Sequence, residues 1–159
     1  MNLFEDNGAS FSIGRKYRYS LWRIWDKEKP LVMFIGLNPS TANANDDDPT
    51  IRRVKRFAFD WGFGGVYMMN LFSYVTPYPD ELVLTDVSHE IVNDFQLKQV
   101  AKHCSEIIFA WGSFKEAKER AEKINVMFPG AKALAINNDG SPKHPLYVAK
   151  NITLVNYEK

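Results

Sequence analysis

The sequence holds one cysteine, Cys104, which excludes an internal disulfide and a cysteine-built metal cage. No apolar run approaches the roughly 20 residues that a membrane-spanning helix needs. The opening residues Met1-Asn2-Leu3-Phe4-Glu5-Asp6 lack the apolar stretch of a secretion signal. The expectation is therefore a soluble cytoplasmic chain with no membrane partner. An excess of one charge is also missing. Twenty basic residues face 19 acidic ones, a net charge of +1, so contact with nucleic acid would need a local patch. There are no internal repeats and no low-complexity segments. Ser40 lacks the G-x-S-x-G elbow of a serine nucleophile. No glycine-rich loop ends in Gly-Lys-Ser or Gly-Lys-Thr, so a phosphate-cradling loop is excluded as well. His89 and His103 have no ligand-like neighbours, and Cys104 reads as core.

What is present is a chain of 159 residues, 45% apolar and 25% charged, enough for a single domain over residues 1–159 with a proper core. Residues 1–10 read as a lead-in. Residues 11–25 read as a hairpin turning at Gly14, and its second arm, YRYSLWRIW, interleaves aromatics with Arg18 and Arg23. Such a mixture suits stacking on bases, but a strand with one face on the core is the preferred reading. Leu31 to Ile35 is a continuous apolar run, as a strand covered on both faces requires. Asp48 can cap a helix and Pro49 can open it, with Ile51, Val54, Phe57, Ala58 and Trp61 on its inner face.

Further strands are expected at residues 66–69, 106–111, 131–136 and 151–157. Helices are expected from Ser88 to His103, with Ile91, Phe95, Val100 and Ala101 inward, and after Gly112, with Ser113 and Glu116 as a capping box. Strands alternating with helices imply an α/β fold. It should be a three-layer αβα arrangement around a central, mostly parallel sheet of four to five strands, with the N-terminal hairpin appended.

In such a sheet, the ends of parallel strands meet at one edge. Those ends carry Asn38, Asn70, Gly112-Ser113 and the loop with His144. Two amides, a hydroxyl and an imidazole offer neutral hydrogen bonding, which suits a heterocycle better than phosphoryl transfer. A neutral histidine can donate to an oxygen on which charge develops. Each residue also has a plainer role: Asn38 in a turn, Asn70 as a cap, His144 as a loop side chain. Asp46, Asp47 and Asp48 could hold Mg²⁺, but a solvated helix start is preferred, because adjacent side chains diverge.

These motifs resemble those of the uracil-DNA glycosylase superfamily over roughly residues 31–150. Gly36-Leu37-Asn38-Pro39 is similar to its first-strand motif, which holds the water-orienting residue. Met68-Met69-Asn70 resembles the strand that ends in a base-reading asparagine. Ala110-Trp111-Gly112-Ser113 resembles the Trp-Gly-Ser strand end, and His144-Pro145-Leu146 the final His-Pro. More narrowly, LNPSTA, DDPTIRR, the run Trp61 to Gly65, NLF and HPLY are similar to an uncharacterised bacterial and phage family.

The resemblance implies an N-glycosidase acting on a damaged, mismatched or modified base in DNA or a nucleotide, without metal or cofactor. Asn38 and His144 would be catalytic, and Asn70, Phe72 and Ser113 would hold the base. Arg52, Arg53 and Lys143 would contact phosphates. Asn38 stands where the fastest enzymes of that superfamily carry an acidic residue. The alternative is a non-catalytic module of the same fold that binds a nucleotide or modified base.

Overall fold

The structure, a computed structural model, describes residues 6–84 and 87–157. The expected lead-in at residues 1–5 lies outside the described residues. Residues 6–10 instead form a strand, β1 (Asp6–Phe11), paired antiparallel with β2 (Arg18–Ile24). The segment is polar and carries a glycine, so it has little strand character of its own. Cross-strand packing supplies it. A Cβ at Gly8 would lie 2.3 Å from Trp22 Cζ2, so only glycine lets that ring lie across β1.

The chain continues through β3 (Leu31–Gly36), α1 (Pro49–Asp60), β4 (Gly65–Asn70), α2 (Val87–Ala101), β5 (Glu106–Phe109), α3 (Lys118–Met127), β6 (Lys132–Ala133) and β7 (Val155–Asn156). The seven strands form one mixed sheet in the order β1-β2-β4-β3-β5-β6-β7. Its centre, β4-β3-β5-β6, is parallel, and both margins are antiparallel. The sheet is therefore wider than the four to five strands expected. The hairpin is not an appendage, because β2 pairs directly with β4. The strands expected at residues 131–136 and 151–157 shrink to two residues each. No helix among the described residues is long and apolar enough to cross a membrane.

Side-chain alternation along β3 explains its unbroken apolar run. Val32 and Phe34 face α1 and pack with Ile51, Val54, Phe57 and Ala58. Met33 and Ile35 face the other way, towards Leu97 of α2 and Ala121 and Ile124 of α3. Helices thus cover both faces. The start of α1 follows the expected chemistry: Pro49 opens it, and the Ile51 N–H donates to Asp48 Oδ1 at 2.8 Å.

The inner face of α2 differs from the apolar stripe expected. Ile91 is 67% exposed and Phe95 60%, while Asn93 and Asp94 are buried beside Leu97. The reason is a polar network that needs those positions. Asn93 Nδ2 donates to the carbonyls of Asn70 (2.9 Å) and Leu71 (3.3 Å). Asp94 receives a two-pronged contact from Arg120 at 2.7 and 3.1 Å, and Lys123 approaches at 2.8 Å. Arg120 also donates to the Leu71 carbonyl. Burial raises the pKa of Asp94, but the hydrogen bonds from Arg120 and Lys123 outweigh it and hold the carboxyl below its usual range. Glu90 lies 3.3 Å from Arg120, and burial wins there, so its carboxyl is pushed up.

Replacing Asn93 with alanine strips the buried Asn70 carbonyl of its side-chain donor and leaves the Leu71 carbonyl to Arg120 alone. We expect a loss of roughly 1–3 kcal/mol, to be measured by urea denaturation. A change below about 0.5 kcal/mol would refute the clamp.

Candidate active site

The parallel strands deliver their ends to one edge, and a cleft of about 530 Å³ opens there. Asn38, Asn70, Ser113, Lys143 and His144 all line it. Residues from three loops and the end of β4 are thereby brought together, as the topology requires.

Asn38 follows β3. Its amide nitrogen donates to the carbonyls of Thr76 (2.7 Å), Pro39 (3.1 Å) and Tyr74 (3.4 Å). Three acceptors around one atom fix the amide's orientation. The oxygen is then the side-chain atom left to act in the cleft, as an acceptor only. Asn70 ends β4 and is 3% exposed. A Cβ on Gly36 would fall 3.0 Å from Asn70 Oδ1 and 2.7 Å from Met68 Cε. The glycine of the Gly-Leu-Asn-Pro run thus makes room for the amide that follows the neighbouring strand.

His144 precedes a short 3-10 turn, Pro145–Tyr147. Its Nδ1 accepts the Leu146 N–H at 3.1 Å. A ring nitrogen that accepts carries no proton, so in the neutral ring the proton sits on Nε2. Burial lowers the imidazole pKa below its ordinary 6.5, and nearby Asp48 only partly opposes this. His144 is thus a neutral Nε2–H donor. Arg53 steadies the turn by donating to the carbonyls of Pro145 (3.2 Å) and Val148. Gly112 turns the chain with φ at +78°, a conformation that favours glycine, and brings Ser113 beside the histidine loop.

Several expected site residues are placed elsewhere. Phe72 is buried in the core under α2 and α3 and does not line the cleft. The lining aromatics are Trp111, Phe114 and Tyr147; Trp111 is buried, while Phe114 and Tyr147 are exposed. Arg52 and Arg53 do not line the cleft either. Arg52 donates to the Asp47 carbonyl and Arg53 to the histidine turn. Ser113 lines the cleft, but its hydroxyl donates to Asp139, whose carboxyl is pulled down to about 2 by bonds from Ser113 and Ser141. No capping box forms, because α3 starts at Lys118 with Ala117 before it.

The three aspartates diverge. Asp46 accepts from Asn43, Asp47 pairs with Arg23 and Lys55, and only Asp48 lines the cleft. Asp48 Oδ2 accepts from Ser40. Among the described residues no three metal-ligating side chains cluster. The sequence reading missed Phe114, which directly follows Trp-Gly-Ser, and the placement of Arg18, whose mixing with hairpin aromatics was the available signal.

Two measurements check this geometry. An NMR titration of His144 should give a midpoint below 6.5, with Nε2 protonated above it. The folded state binds this proton more weakly than the unfolded chain does. The residue's contribution to stability is therefore full above 6.5 and declines as pH falls. Gly36→Ala should preserve the fold yet displace Asn70, visible as a large chemical-shift change at the Asn70 amide; an unmoved amide would contradict the contact.

No curated protein and no solved structure matches the chain. A family model does match, over residues 18–146, and its description is a protein of unknown function, DUF1643. With most of its length covered, from the second arm of the hairpin to the turn after His144, the chain belongs to the DUF1643 family.

Proposed function

We propose that this cleft belongs to an N-glycosidase of the uracil-DNA glycosylase type, acting on a damaged, mismatched or modified base in DNA or a nucleotide. The observation that carries the reading is the convergence of Asn38, Asn70 and a neutral His144 in one cleft. Asn70 would read the edge of the base, accepting and donating at once. Phe114 or Tyr147 would cover its face, the place first given to Phe72.

As the bond from sugar carbon to base nitrogen breaks, its electron pair leaves with the base. Negative charge then spreads to a base carbonyl, where the Nε2–H of His144 donates. Water adds to the sugar carbon, oriented by one of its hydrogens on Asn38 Oδ1. The proton that the added water sheds passes to the departed base, whose negative charge takes it up. Lys143, which lines the cleft, would meet a phosphate there. Flipping a base out of a duplex costs a few kcal/mol, least for a mismatched or modified one.

One observation favours a second reading. The amide at Asn38 is neutral and its nitrogen is spent on backbone carbonyls. It cannot take a proton from water, as the acidic residue of the fastest enzymes of the uracil-DNA glycosylase superfamily would. The same cleft could then bind a nucleotide or modified base without cleaving it.

The two readings separate in one assay. Free base is quantified by chromatography after incubation with oligonucleotides carrying modified bases and with nucleotides. The glycosidase reading expects release by the wild type, reduced about 10²–10³-fold by His144→Ala, as for the loss of one charge-stabilising donor. Asn70→Ala should be reduced as well. Equal release by all three proteins, or none by any, would sink it.

A further inference from the structure

Arg18 is a buried cation whose donors the protein does not fill. Two arginines are almost wholly buried, Arg18 at 3% exposure and Arg23 at 2%. Arg23 is fully partnered. Its Nε meets Asp47 at 2.8 Å, and its two Nη atoms meet the carbonyls of Trp22, Gly8, Asn43 and Asp46. Arg18 has one such contact, Nη1 to the Ala42 carbonyl at 3.1 Å, and its Nε is buried with no partner. No carboxylate among the described residues lies within ion-pair distance of it. Buried charges are ordinarily paired, because desolvation is otherwise uncompensated. Arg18 also lines the cleft.

We propose that Arg18 is the anion-recognition residue of this cleft, and that the ligand is a phosphate-bearing monomer, a nucleoside monophosphate, whose phosphate takes the guanidinium donors left open. The monophosphate form rests on the base-binding reading above; the anion preference rests on Arg18 alone. A guanidinium presents five N–H donors in a planar fork that matches phosphate oxygens.

Depth selects a monomer over a polymer. A buried side chain on the cleft wall cannot reach a backbone lying across the surface. Polymer binding also needs several cations at the mouth. Among the described residues the lining cations are Arg18 and Lys143, and the exposed lining residues include Phe114, Leu146 and Tyr147. Asp48 is the carboxylate nearest in role, but its oxygens are engaged by the Ile51 N–H and the Ser40 hydroxyl. Burial holds the Arg18 pKa down to about 10 despite Asp48, as an under-compensated cation should show.

The test is calorimetric titration of the full chain. The titrants are inorganic phosphate, the four 5′-monophosphates, their nucleosides and a single-stranded hexanucleotide. At least one monophosphate should bind about tenfold or more tighter than its nucleoside, as expected for charge-assisted hydrogen bonds. Inorganic phosphate should bind more weakly and compete with it. Arg18→Met should erase the monophosphate preference while nucleoside affinity stays within about twofold.

That variant removes an unpaired buried charge, so its melting temperature should hold or rise. If it fails to fold, Arg18→Lys is read instead and should retain part of the preference. Equal binding of nucleoside and monophosphate overturns the proposal. So does a preference that survives Arg18→Met, a hexanucleotide that binds tighter than every monomer, or no binding of any titrant. Monophosphate binding without base release would keep this inference while refuting the glycosidase reading. Base release without a phosphate preference would do the reverse.

Discussion

Past the carboxyl end of a parallel strand the backbone loses its ladder, and each buried carbonyl must find another donor. This chain meets that constraint with side chains. Asn93 and Arg120 hold the carbonyls at the end of β4. Asn38 holds those of Pro39, Tyr74 and Thr76. Arg53 holds those around the histidine turn. Each clamp comes from a different element, so the loops at the cleft are pinned to one another as well as to the sheet. The cleft is thus built on ordered backbone, which is what a site needs if its groups are to stay aligned.

The charged groups divide by purpose. Asp94 pairs with Arg120 and Lys123 beneath α2 and α3. Asp47 pairs in the same way with Arg23 and Lys55, between the hairpin and α1. Both sets are closed. Around the cleft the picture is open: Arg18 has one protein partner for its guanidinium, Asp48 faces the lining, and His144 stays neutral beside it. The open set is thus the one left facing the cleft, whereas the closed sets lie between packed elements.

Much of this was legible in the sequence. The apolar run at Leu31 encodes a strand buried on both faces, and Asp48-Pro49 encodes the start of a helix; both are local chemistry. The meeting of Asn38, Asn70, Ser113 and His144 follows from topology, because parallel strands place their ends together. What the sequence concealed was pairing at a distance. The inner face of α2 is polar because Asn93 and Asp94 answer carbonyls and an arginine far along the chain, and no periodicity displays that. β1 is a strand because Trp22 lies over Gly8. Ser113 reads as a cap until Asp139 is seen to claim its hydroxyl. Arg52, Arg53 and Phe72 look like ligand contacts from the resemblance, but backbone carbonyls claim the two arginines and the core claims Phe72.

The amide clamp of Asn38 bears on how such a site can evolve. On the glycosidase reading proposed above, a carboxylate there would serve water activation better, yet it would set two oxygens against the three carbonyls that the amide nitrogen now holds together. Faster chemistry and an intact loop therefore pull the same position in opposite directions, a local form of the trade-off between activity and stability. A lineage could escape it only by first supplying another donor for Thr76, Pro39 and Tyr74. On that reading the identity of residue 38 is set by whichever demand, the backbone's or the water's, weighs more.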